Sequence, residues 1–231
     1  MTAEVHATGI EQFEYPELSV APRASERIAM EAQKELSHRW TTYIPIQLSG
    51  LMTMSAGIFN NDPNISTGEY AGIGVGLGWL ALTTVLAMTY EPYHSANLEI
   101  SALPKGTIRE QLTRERMAEE SINKIAAAGE RMRWLSIASN FFTSVFILTQ
   151  NKSYLLPANN NPTTRGLMDG SAFFALGAAF TPWLFRFYWS DVRDQQADFK
   201  KRIYGPVANT TLFYDAGTRS YVPGVALSFG L

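Results

Sequence analysis

Histidine is the first residue type to weigh, because its neutral ring ligates haem and metal ions and its charge changes near neutral pH. Three are present: His6, His38 and His94. His6 lies in a polar leader, while His38 and His94 flank apolar windows at one expected depth, which makes them weak candidates for a cofactor pair. Neither lies deep in an apolar run, and no carboxylate pattern accompanies them. Glu91 stands three residues before His94, but Pro92 between them breaks helical spacing, so no H-E-x-x-H geometry arises. Cysteine is absent, which excludes disulfides and thiolate nucleophiles or ligands. No nucleophile elbow, phosphate loop, kinase signature or zinc spacing occurs. The expectation is a chain that is not an enzyme, without catalytic or metal residues and without a resident cofactor beyond bound lipids.

Polar residues inside apolar runs come next, since such positions are expensive unless they serve packing or function. Gln47, Asn140, Asp169 and Arg186 qualify. Gln47 and Asn140 read as interhelical hydrogen-bond formers, with part of a solute path as the alternative. Asp169 reads as a helix N-cap and Arg186 as a side chain reaching for an interface. On one continuous helix they would stand roughly 25 Å apart, too far to pair. Pro45 and Pro182 would bend their helices at matching depths.

Small residues mark the packing faces. Gly72, Gly74, Gly76 and Gly78 form two overlapping i, i+4 ridges, and Ser171, Ala175 and Ala179 form another. Such ridges let helix backbones approach closely. Packing within the bundle or against another subunit is the reading, and a pore lining the alternative. Glu115, Glu119 and Glu120 alternate with Arg114, Arg116 and Lys124, which reads as a solvated helix face.

These residues must be held by long helices. The average composition is unremarkable, with 17% charged residues and a net charge of -2, and a mean hydropathy of -0.08. The averages hide segregation into apolar windows and charged stretches. Four windows, about 43–60, 70–90, 134–150 and 167–189, read as spans. The second and fourth have the length a bilayer core about 30 Å thick needs, while the first and third are shorter and more polar but each continues a preceding charged helix. Lys and Arg crowd before the first window, between the second and third, and after the fourth; Lys152 and Arg165 alone occupy the other connections. That bias predicts four crossings with both termini on the inner side. Aromatic residues Trp40, Tyr43, Tyr90, Tyr93, Trp134, Trp183, Tyr188 and Trp189 would form an inner belt, with Phe59, Tyr70 and Tyr154 near the outer one.

The expected fold is therefore an all-α membrane protein of four transmembrane helices in two hairpins. Residues 1–22 form a polar tail, 23–203 the helical domain, and 204–231 a short β-hairpin or extended tail. Amphipathic helices over 24–40 and 107–133 extend it on the inner side. The first carries the stripe Ala24, Ile28, Ala32, Leu36 and Trp40 at a spacing of four. Thr107 and Glu110 fit a capping box at the start of a helix of about 40 residues that runs on into the third window. A helix after window four should stop at Gly205-Pro206. Beyond it, alternating β-formers flank Asp215-Ala216-Gly217-Thr218, a hairpin turn. Arg39-Trp40 and Arg133-Trp134 open the two hairpins, a weak parallel repeat.

Function follows from what is lacking. The expected role is a non-catalytic integral membrane subunit of a larger multi-protein complex, in a bacterial or organellar inner membrane. A small transporter or channel built from the two hairpins is the alternative. Expected partners are other membrane-protein subunits and lipids, with a homo-oligomer also open. Basic charge is too sparse and too balanced by acids for nucleic acid. Asn64-Ile65-Ser66 is a glycosylation triplet too common to assign a compartment.

Overall fold

The computed structural model describes residues 15–59, 67–150, 162–204, 207–215 and 220–228. His6, the triplet 64–66, Lys152, Tyr154, Gly205-Pro206 and turn residues 216–219 lie outside them, as does most of the leader.

The chain folds into α1 (Pro16–Ser19), α2 (Ala24–His38), α3 (Ile44–Phe59), α4 (Thr67–Thr89), α5 (Pro92–Ser101), α6 (Ile108–Gln150), α7 (Pro162–Ala178), α8 (Thr181–Leu184) and α9 (Tyr188–Tyr204). An antiparallel ribbon of β1 (Val207–Asp215) and β2 (Ser220–Ser228) follows, in register from Val207 opposite Ser228 to Asp215 opposite Ser220. Pro223, opposite Leu212, costs no inner ladder bond, because in a two-stranded ribbon every strand is an edge. The body of the fold is all-α.

α6 unites two halves. Its first half packs with α2, α5 and α9 around Ile28, Tyr93, Ile100, Ala118, Ile122, Phe187, Trp189 and Val192. Its second half packs with α3, α4 and α7, where Ala56, Ile147, Ala172 and Ala175 form a smaller core. The start of α6 is fixed by the expected reciprocal cap. The Thr107 N–H donates to Glu110 Oε2 at 3.0 Å, and the Glu110 N–H donates to Thr107 Oγ1 at 3.2 Å.

Among the described residues one helical stretch, Thr67–Ser101, is long and apolar enough to cross a membrane; Ile44–Phe59 is apolar but shorter. That is one stretch against the four expected.

Several expectations are corrected. Window four is not one helix: α7 ends at Ala178, α8 is a single turn, and Phe185 is extended before α9 begins. Pro182 sits in the first turn of α8, and Pro45 is the second residue of α3. A missing N–H costs nothing at a helix start, so both prolines begin helices rather than bend them. α7 starts at Pro162, so Asp169 lies two turns inside it and is not an N-cap. Tyr43, Tyr93 and Trp189, expected in an interfacial belt, are buried at 2%, 0% and 3% exposure. They form an internal aromatic cluster, while Trp40, Trp134 and Trp183 remain outside.

α3 and α4 pack at glycine contact distance. A Cβ built on Gly76 would lie 2.4 Å from the Gly50 carbonyl oxygen, and one on Gly57 2.8 Å from the Glu69 oxygen. Only hydrogen fits there, which explains why this pair of helices carries glycine on both sides. Gly74 and Gly78 face open space.

Candidate functional site

The most unusual chemistry gathers where the two halves meet. α2 was expected to bury one stripe from Ala24 to Trp40. Ala24 and Ile28 are buried, but Leu36 and Trp40 are 67% and 46% exposed. In their place Glu31 and Glu35 turn inward, at 1% and 8% exposure. Buried carboxylates persist only when hydrogen-bonded or paired, and each of these is.

Glu31 accepts a hydrogen bond from the Tyr188 hydroxyl and pairs with Arg27 Nε at 3.0 Å and Lys34 Nζ at 3.5 Å. Glu35 accepts from two backbone N–H groups, Tyr93 at 3.1 Å and His94 at 2.8 Å. Those are free donors in the first turn of α5, whose first residue, Pro92, has no N–H to satisfy. The carboxylate of one helix thus caps another and meets its positive end. Burial pushes the Glu35 carboxyl above its ordinary value, against the opposing pull of the His94 and Tyr93 N–H groups.

Glu115 repeats the device in reverse, which corrects the solvated-face reading. It is 4% exposed and accepts from the Ser25 N–H at 3.0 Å and the Ser25 hydroxyl at 2.6 Å, capping α2 from α6. Glu119 pairs with Lys200 of α9 at 2.7 Å, and Glu120 stays exposed beside Lys124.

Next to Glu35 opens a cleft enclosing about 300 Å³ of space, counted out to its mouth. Glu35, His38, Arg39, Thr42, Tyr43, Tyr90, Tyr188 and Trp189 line it. The His38 ring stacks on Tyr188 with centroids 4.8 Å apart and planes 2° from parallel. Trp189 meets Tyr90 and Tyr43 edge-on, at 5.7 and 6.2 Å. Arg39 is tied to Glu91 by an ion pair. The Tyr43 hydroxyl is buried without a hydrogen-bond partner among the described residues.

A second polar site lies among α3, α4 and α6. Gly72 of α4 lies against both Gly57 and Ile147, while Trp79 stands beside Gly50 and donates from Nε1 to Ser139 Oγ at 2.7 Å. With α4 as a ruler, α3 and α6 run parallel and Ser49 stands level with Asn140. Both are fully buried, yet among the described residues Ser49 Oγ and Asn140 Oδ1 have no hydrogen-bond partner. The Asn140 amide nitrogen donates to the Ser136 carbonyl at 2.8 Å.

The remaining candidates separate. Gln47 is half-buried on α3. His94 gives its backbone to Glu35 while its side chain is exposed, so it does not share the cleft with His38. No group of three His, Asp or Glu side chains suited to a metal occurs among the described residues. Arg186 is exposed in the link between α8 and α9, 3.8 Å from Asp191, and Asp169 is half-buried on α7. Ala175 and Ala179 are fully buried and Ser171 half-buried. Sequence reasoning missed Glu31, Glu35, Glu115 and Gly129. Gly129 would place a Cβ 2.7 Å from Phe187 Cδ1 and 2.9 Å from Trp189 Cε3. A signal was available for the glutamates: Glu31 and Glu35 share a helix face with Ile28, and Pro92 marks a helix start that needs an outside acceptor.

No family model, curated protein or solved structure matches this chain.

Proposed function

We propose that the chain is an integral membrane protein acting as a non-catalytic subunit of a larger membrane assembly. One observation carries the reading: in one half of the molecule the usual distribution of polarity is inverted. Ser49, Thr53, Thr83, Ser136, Asn140 and Ser144 are each fully buried. Ile58, Leu77, Val85, Met88, Leu135, Phe142, Phe173, Phe174 and Leu184, on the same elements or adjoining them, are each about half exposed or more. Water would penalise so large an apolar surface, whereas hydrocarbon accepts it. The other half, around α2, α5 and α9, is coated with charge, which suits the aqueous side.

On this reading α3, α4, the second half of α6 and the α7–α8 region cross or enter the bilayer, with both termini inside. The role as a subunit rests on the open Gly74 and Gly78 edge of α4 and on the extended polar half, both suited to protein neighbours. The deciding experiment is membrane fractionation with an alkaline carbonate wash, then mild detergent extraction and native mass determination. Retention in the membrane and a large reproducible complex are expected. Release by carbonate would overturn the membrane reading, and a lone stable monomer would overturn the subunit reading.

A small transporter is the second reading, favoured by the unpartnered Ser49 and Asn140 atoms in the apolar half. It requires solute flux in liposomes that Asn140→Leu or Gln47→Leu abolishes.

A further inference from the structure

The cleft beside Glu35 is lined in part by Arg39 and Tyr43, whose chain neighbours Trp40 and Ile44 are exposed. Resting on the membrane reading above, we propose that it holds the primary ammonium headgroup of a phosphatidylethanolamine lipid.

The unmet groups in the cleft decide the sign of the ligand. Arg39 is already paired with Glu91. Glu35 forms no ion pair among the described residues, and its hydrogen bonds are to backbone N–H groups. The Tyr43 hydroxyl, on a side chain 2% exposed, has no hydrogen-bond partner among the described residues. A carboxylate, a free phenolic oxygen and the rings of Trp189, Tyr90 and Tyr188 suit a cation that also donates hydrogen bonds. An anionic group would face the Glu35 carboxylate.

Size then selects among cations. The cleft has room for about one group the size of a water molecule. A –NH₃⁺ group matches that size and brings three donors for Glu35, Tyr43 and a ring face. A trimethylammonium is bulkier and has no N–H to give. A glycerol headgroup lacks the charge. With the ammonium beside Glu35 and Tyr43, His38, half-buried in the lining, stands ready for the phosphodiester that follows it.

The test uses the full-length protein in detergent, loaded with equal amounts of phosphatidylethanolamine, phosphatidylcholine and phosphatidylglycerol, with lipid retention read by native mass spectrometry. Phosphatidylethanolamine should be retained about tenfold over the other two, the ratio one charge-assisted hydrogen bond supplies. Tyr43→Phe, which keeps the ring and its packing, should cut that selectivity several-fold, and Glu35→Gln should abolish it. Equal retention of the three lipids would overturn the proposal, as would selectivity unchanged in Tyr43→Phe. Free ethanolamine that displaces the lipid at equal concentration would overturn the lipid assignment. A failure of the membrane reading would show separately, as release in the carbonate wash.

Discussion

Gly57 and Gly72 touch backbone to backbone: a Cβ on Gly72 would lie 2.8 Å from the Gly57 Cα. This contact fixes the spacing of α3 and α4, and it divides the glycine run of α4 into two classes. Gly72→Ala and Gly76→Ala should each destabilise by about 2 kcal/mol or more, because backbone rather than a flexible side chain must move. Gly74→Ala and Gly78→Ala meet open space and should fall within about 1 kcal/mol of wild type, on the stabilising side. Thermal unfolding of the four variants in one detergent makes the comparison. Similar losses at all four positions would contradict the packing described.

The Glu31 carboxylate and the Tyr188 hydroxyl tie α2 to α9. A double-mutant cycle with Glu31→Gln and Tyr188→Phe should give a coupling energy of about 1–3 kcal/mol, the range of a buried hydrogen bond to a charged group. Additive effects would mean that Glu31 is held by Arg27 and Lys34 alone.

Glu35 sets a pH dependence with a definite sign. Burial raises its carboxyl above the usual 4.5, so the fold favours the protonated form. Its contribution is fully present below about 4.5 and is lost as pH rises through the raised folded value. Stability of wild type relative to Glu35→Gln should therefore decline across that window and level off above it. Parallel curves, measured by chemical unfolding at a series of pH values, would remove Glu35 as the source.

Gly129 is the only residue that fits beneath Phe187 and Trp189 at that point of α6. Gly129→Val should force both rings outward, shift tryptophan fluorescence to the red and cost roughly 2–3 kcal/mol. An unchanged emission spectrum would show that the rings have room to give.

How much of this was legible in the sequence depends on whether a residue obeys the rule of its type. Apolar periodicity and the Thr107/Glu110 cap located α6, because both act within a few residues of chain. The Lys and Arg bias separated charged from apolar elements for the same reason. Glu31, Glu35 and Glu115 escaped because carboxylates normally face water, and donors that hold them inward come from 157, 58 and 90 positions away. The break after α7 escaped because Pro182 bends a helix or begins one with equal ease, and tertiary packing decides which. The cleft was half legible. His38 was singled out, but Tyr90 and the Tyr188–Trp189 pair reach the cleft from distant stretches of chain that no local pattern connects to it.

One last consequence concerns mechanics. α6 runs unbroken for 43 residues, about 65 Å at 1.5 Å per residue. It is packed by both halves, and Gly129, against Phe187 and Trp189, stands at its midpoint. A tilt of about 5° about that midpoint would displace Ser139 and Asn140, about 16 Å along the helix, by about 1.5 Å. A load on the charged half of α6 would therefore reach Ser139 and Asn140 without any loop having to carry the displacement.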